Sequence, residues 1–228
     1  MSTERSAPKI FLFRHGETEW SLAGRHTSRT DVPLTQRGEQ SARRVGQRLR
    51  GFSFTQVFTS PRLRARRTCE LMDLDTEAKI DPKLTEWDYG DYEGRRTDEI
   101  LREQPGWNLF VDGCPNGESP TEVCARADAI IDGLTPLTGN TALFSHGHIG
   151  RMIAARWIGL EAAQAQRLVL NPASMSILGY ERDERVLMLW NADARALASS
   201  HLPLGDLRPM KQRALERWEG EGGEIPSS

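Results

Sequence analysis

Residues 10–20 read IFLFRHGETEW, and the fold turns on them. Ile10 to Phe13 form an unbroken apolar run, the mark of a strand covered on both faces, and the run stops on Arg14, His15 and Gly16. The same pattern recurs downstream. FTQVFTS (Phe54 to Ser60) predicts a second strand and TALFSH (Thr141 to His146) a third, the latter again closing on a histidine followed by glycine. Thr35 is placed to cap a helix in which Ala42, Val45 and Leu49 share one face and arginines the other, ending near Gly51. An arginine-rich helix is expected over Leu63 to Met72, and another over Arg151 to Ile158 after a small turn at Gly147. SMSILGY and RVLMLWNA, either side of the charged turn ERDER, predict a late hairpin. The alternation predicts an α/β fold with a mostly parallel central sheet and helices on both faces.

Working outward, 228 residues suit one large α/β domain at least as well as two small ones. We expect that domain over residues 9–215, between loose ends at 1–8 and 216–228 that are polar or Gly-rich. A net charge of -2, with acids and bases interspersed, offers no block for nucleic acid. Cys69, Cys114 and Cys124 are odd in number and form no CxxC pair, so neither a disulfide framework nor a zinc knuckle is suggested. No apolar run is long enough for a signal peptide core or a membrane span, and the expectation is a cytoplasmic protein acting away from membranes. Assembly into a homo-oligomer is compatible with all of this. Trp87 to Ser119, rich in Gly, Asp and aromatics with one short helical pattern near Thr97 to Glu103, is expected to be a functional lid.

Sheets of this kind gather ligands at the carboxyl ends of their strands. FLFRHG and TALFSHG bring two imidazoles to that edge, and TSPRLRARRT (Thr59 to Thr68) adds arginines from a third strand end. Cations that converge imply an anion. A phosphoryl group fits best, since its transfer depends on spreading negative charge over preorganised donors. Arginine can bind two of its oxygens at once, and neutral imidazole is a competent nucleophile at physiological pH. Singly, a histidine at a strand end is more often a packed or solvated residue, and an arginine-rich helix a solvated face. Repetition at several strand ends is what favours a site.

RHGETEW resembles the signature of the histidine phosphatase superfamily, the phosphoglycerate mutase-like enzymes. Four further blocks follow in the family's order: PLTQRGEQSA, TSPRLRARRT, LTEWDYGDYEG and LFSHGHIGR. The resemblance covers most of Ile10 to Arg151 and implies a three-layer α/β/α sandwich and a mechanism free of cofactor and metal. It implies Arg14 as a phosphate ligand, His15 as nucleophile, Arg64 as the second phosphate clamp, Glu86 as proton donor and His146 as a second, cationic histidine. Ser21, Thr27 and the Gly147 N–H match further phosphate-binding positions. His148 and Arg151, at an expected helix start, are assigned to substrate, with Tyr92, Glu93 and Arg95 on the opposite wall.

EWDYGDYEG, WNLFVDGCPNGES and SHGH are most similar to the sugar-phosphate phosphatase branch, the sedoheptulose 1,7-bisphosphatase kind, although position 26 is His where that kind has tyrosine. The implied activity is hydrolysis of a small phosphorylated metabolite through a phosphohistidine. The alternatives are a phosphoglycerate mutase and a silent phosphosugar-binding module. A mutase must retain a bisphosphate under a basic lid, and the 89–119 segment carries no excess of basic residues. A silent module has no need of Glu86. A metal hydrolase built on HGH wants nearby aspartates, and a GxSxG hydrolase wants a glycine that the Ser145 context lacks.

Overall fold

The computed structural model describes residues 8–76, 78–134 and 138–199. The expectations for residues 1–7, for the domain's end at 215 and for the tail from 216 fall outside these. Six strands form one sheet: β1 (Lys9–Arg14), β2 (Gln56–Thr59), β3 (Lys79–Ile80), β4 (Asn140–Ser145), β5 (Met175–Glu181) and β6 (Glu184–Ala192). Their order is β3-β2-β4-β1-β5-β6, with the first four parallel and the β5–β6 hairpin antiparallel. The helices are α1 (Glu19–Leu22), α2 (Gln36–Arg48), α3 (Leu63–Leu71), α4 (Thr97–Glu103), α5 (Leu109–Asp112), α6 (Pro120–Leu134), α7 (Gly147–Trp157) and α8 (Ala196–Ser199).

The apolar run of β1 is split by its two-residue period. Ile10 and Leu12 face a core completed by Leu143, Leu178 and the buried sides of α6 and α7, whereas Phe11 and Phe13 face a second core with Ala42, Val45, Phe144 and Ile177. Two cores on opposite faces of one sheet make the three-layer α/β/α sandwich. Thr35 caps α2 as its sequence predicts, its hydroxyl accepting from Gly38 N at 2.9 Å.

Three readings change. The helix expected from Arg151 begins at Gly147, because the Glu86 carboxylate satisfies its first backbone donors and no separate turn is needed. The 87–119 segment, expected as a functional lid, is packed into the body of the fold: Trp87, Tyr89, Tyr92, Ile100, Leu109 and Phe110 are all buried in the first core. Finally, α6 had no counterpart in the sequence reading, though Val123, Ala127, Ile130, Ile131 and Leu134 line its buried side at helical spacing.

Candidate active site

Parallel pairing of β1 with β4 in the register Arg14↔Ser145 brings the RHG and SHG ends side by side. His15 N donates to Ser145 O at 3.0 Å, and the His15 and His146 rings lie 5.2 Å apart, edge to face. The loop after β1 is pressed against the start of α2, where a Cβ on Gly38 would sit 2.2 Å from Glu17 O. His15 Nδ1 is 2.7 Å from Gly16 O, a carbonyl that can only accept, so Nδ1 carries the proton and Nε2 keeps its lone pair. Burial first, then the Arg64 and Arg14 charges, hold His15 well below the usual imidazole range, so it is neutral at pH 7.

A cavity of about 210 Å³ opens at this edge. Its walls include Arg14, His15, Ser21, His26, Thr27, Glu86, Tyr89, Gly147, His148 and Arg151. That volume lies below the ~300–1,000 Å³ of sites for drug-sized ligands and suits a small metabolite. A groove of about 770 Å³ between α2 and the 172–198 segment is larger, but it holds none of the strand-end histidines.

Arg14 is fixed through Nη1 to the Leu170 carbonyl, while its buried Nε has no partner among the described residues. Its guanidinium lies across the start of α7, and a Cβ on Gly147 would come within 3.3 Å of it. Glu86 joins the same helix start. Oε1 accepts from Trp87 N and Ile149 N at 2.9 Å each, and Oε2 accepts only from His148 N at 3.1 Å. Oε2 is therefore the oxygen with capacity to exchange a proton. Across the cavity, Arg151 stacks 4.6 Å over Phe110 and is tied to the Ala165 and Gln166 carbonyls. The Tyr89 hydroxyl meets His148 Nδ1 at 2.5 Å. Burial pushes His148 well down and Tyr89 well up, so in this pair the phenol donates to a neutral imidazole.

Arg64 and His146 lie behind the cavity wall, both wholly buried. Arg64 donates to the carbonyls of Thr27, Ser28 and Thr30, and through Nε to His146 Nδ1 at 3.2 Å. This corrects the cationic reading of His146. A ring nitrogen that accepts from a guanidinium carries no proton, and burial with the neighbouring Arg64 charge holds the imidazole well below its usual range. Tyr92, Glu93 and Arg95 are not on the cavity wall. Tyr92 is buried beside Trp107, Arg95 pairs with Glu103, and the Glu93 carboxylate accepts from Ser28 N and Thr30 N, steadying the loop that Arg64 also holds.

Sequence reasoning missed Tyr89, Thr97, Leu170 and Ser60, while His26, noted only as a departure from the family pattern, stands on the cavity wall. Tyr89 stands inside LTEWDYG and was within reach. Leu170 and Ser60 act through a backbone carbonyl and a lone hydroxyl, for which no local pattern exists. Cys69 and Cys114, their thiols pushed up to about 12 by burial, belong to the cores.

The sequence profile of the histidine phosphatase superfamily (branch 1) matches residues 10–193. An acid phosphatase of Mycobacterium tuberculosis is 40% identical over 183 residues, 78% of this chain and 90% of that protein. The sedoheptulose 1,7-bisphosphatase of Saccharomyces cerevisiae is 39% identical over 186 residues, 67% of this chain and 68% of that one. Among solved structures, Rv3214 of Mycobacterium tuberculosis superposes with a TM-score of 0.78 at 36% identity, covering 82% of this chain and 98% of its own.

Proposed function

The chain belongs to the histidine phosphatase superfamily, and from that premise we propose that it hydrolyses a small sugar phosphate or bisphosphate through a phosphohistidine at His15. The observation that carries the reading is the state of His15: neutral, Nδ1–H bonded to Gly16 O, and Nε2 without a hydrogen-bond partner among the described residues, on a cavity shared with Arg14 and Glu86. In the first half-reaction the Nε2 lone pair attacks phosphorus while the ester P–O bond breaks. Glu86 Oε2 gives its proton to the departing sugar oxygen, which would otherwise leave as a poor alkoxide. Arg14 and the Gly147 N–H face the charge that gathers on the phosphoryl oxygens. In the second half-reaction Glu86, now a carboxylate, takes a proton from water as that water attacks phosphorus and the P–N bond breaks. Inorganic phosphate leaves and His15 returns to its neutral form.

Hydrolysis rather than mutase chemistry is supported by the ion pairing within residues 89–119. The arginines there are engaged with acids of the same segment: Arg95 with Glu103, Arg96 with Asp98 and Glu99, Arg102 with Asp98. No cation there is left to retain a bisphosphate against exchange with water. The relatives named as an acid phosphatase and a sedoheptulose 1,7-bisphosphatase agree with this reading. The test is a phosphate-release assay on a panel of sugar mono- and bisphosphates, run beside a coupled phosphoglycerate mutase assay on the same preparation. Release should exceed mutase turnover for at least one sugar phosphate; the opposite ranking for every compound would make the chain a mutase.

A further inference from the structure

Ser60 ends the run FTQVFTS just past β2 and is wholly buried. Its Oγ lies 2.8 Å from His146 Nε2, and the direction of that bond follows from the other side of the ring. His146 Nδ1 faces Arg64 Nε at 3.2 Å. Guanidinium has no acceptor, so Nδ1 must be the bare nitrogen. The one ring proton is then on Nε2, and Ser60 Oγ receives it. The backbone N–H of Arg62 occupies another face of the same oxygen at 3.3 Å.

Exchanging the ring tautomer would set an imidazole N–H against the Arg64 N–H and drive the guanidinium off its line. The other partners of Arg64 are backbone carbonyls of residues 27, 28 and 30, on the loop that also supplies Thr27 to the cavity. His146 is thus the sole side chain bonded to the Arg64 guanidinium among the described residues. Whatever fixes the His146 tautomer therefore fixes both the arginine and one cavity wall.

We propose that Ser60 is a positioning residue for Arg64 and the 27–30 loop that Arg64 holds against the cavity: by accepting from Nε2 it holds His146 in the tautomer whose Nδ1 aims Arg64. The inference rests on the phosphatase reading for the role of the cavity that the 27–30 loop borders, but the tautomer it requires does not depend on any substrate. Serine suits the position because its hydroxyl can turn to present a lone pair, whereas alanine leaves a buried N–H without an acceptor.

The test pairs a spectroscopic and a kinetic measurement on the full chain. In ¹⁵N-histidine-labelled protein without substrate, the His146 signals, assigned by their loss in His146→Gln, should report a bare Nδ1 and a protonated Nε2. In Ser60→Ala the ring should lose that single tautomer, and kcat/KM for para-nitrophenyl phosphate should fall about 10-fold or more, on the scale of one buried unsatisfied donor. A protonated Nδ1 in the unaltered protein overturns the proposal, whether or not any phosphate ester is turned over. It is equally overturned if Ser60→Ala loses activity with the His146 tautomer intact, or keeps full activity.

Discussion

At the scale of single residues, the proposed mechanism gives Glu86 two duties that can be separated. Its Oε1 is saturated by Trp87 N and Ile149 N and anchors the chain, while Oε2, with one bond to His148 N, is left to move a proton. Glu86→Gln keeps an oxygen for the anchoring bonds and removes the transferable proton. Its kcat on a sugar phosphate should fall by about 10²–10⁴, the scale of general acid catalysis. With para-nitrophenyl phosphate, whose leaving group needs no proton, the loss should be much smaller. Equal losses on both substrates would make Glu86 an anchor alone. The wholly buried Arg64 and His146 differ in kind from Arg14, because their bonds are internal and their influence on substrate passes through the loop at 27–30.

Among the elements, α7 matters most to the site. Its first turn holds Glu86 against the His148 and Ile149 N–H groups and lays Gly147 under Arg14, so the helix start places both the carboxylate and the guanidinium. Gly147→Ala therefore makes a sharp test. A Cβ would come within 3.3 Å of the Arg14 Cζ and Nε, yet alanine suits a helix better than glycine does. We expect kcat/KM to drop about 10-fold from displacement of Arg14, with thermal stability no lower than that of the parent protein. A variant with unchanged kcat/KM would mean that Arg14 is not held by this contact.

β1 and β4 were legible because their apolar runs stop abruptly, as at Phe13–Arg14 and Ser145–His146, whereas β3, two exposed residues, carries no run to read. The first turn of α7 was not, since its cap comes from Glu86, more than sixty residues away. α6 carried a readable period that went unread. The aromatics of 87–119 misled by context: Trp87 and Tyr89 sit among Gly and Asp, and only the tertiary core shows that they are buried. Arg14, His15 and Glu86, singled out in the sequence, come together on one cavity, whereas the charge of His146 depended on a neighbour that only the fold supplies.

On the scale of the whole molecule, burying three neutral imidazoles ties stability to pH. His15, His146 and His148 are all held well below the ordinary value of 6.5, with burial the largest cause in each. Above 6.5 neither folded nor unfolded chain protonates them, and they contribute no pH dependence. Below 6.5 the unfolded chain takes up protons that the native state refuses, so stability falls as pH falls. The slope is up to about 1.4 kcal/mol per pH unit for each histidine until its folded value is reached. Urea unfolding at pH 7.5, 6.5 and 5.5 should show little change over the first step and a clear loss over the second. The three native imidazole signals should not titrate across that range, and titration near 6.5 by any of them would contradict its buried neutral state.

The central claim is a covalent phosphohistidine at His15 that water resolves, and rapid quench with a ³²P-labelled sugar phosphate tests it most directly. The expected product is an acid-labile, base-stable phosphoprotein whose label maps to His15, decays into inorganic phosphate and is absent from His15→Ala. Label that persists in His15→Ala, or that leaves His15 only for another oxygen of the sugar, would contradict it.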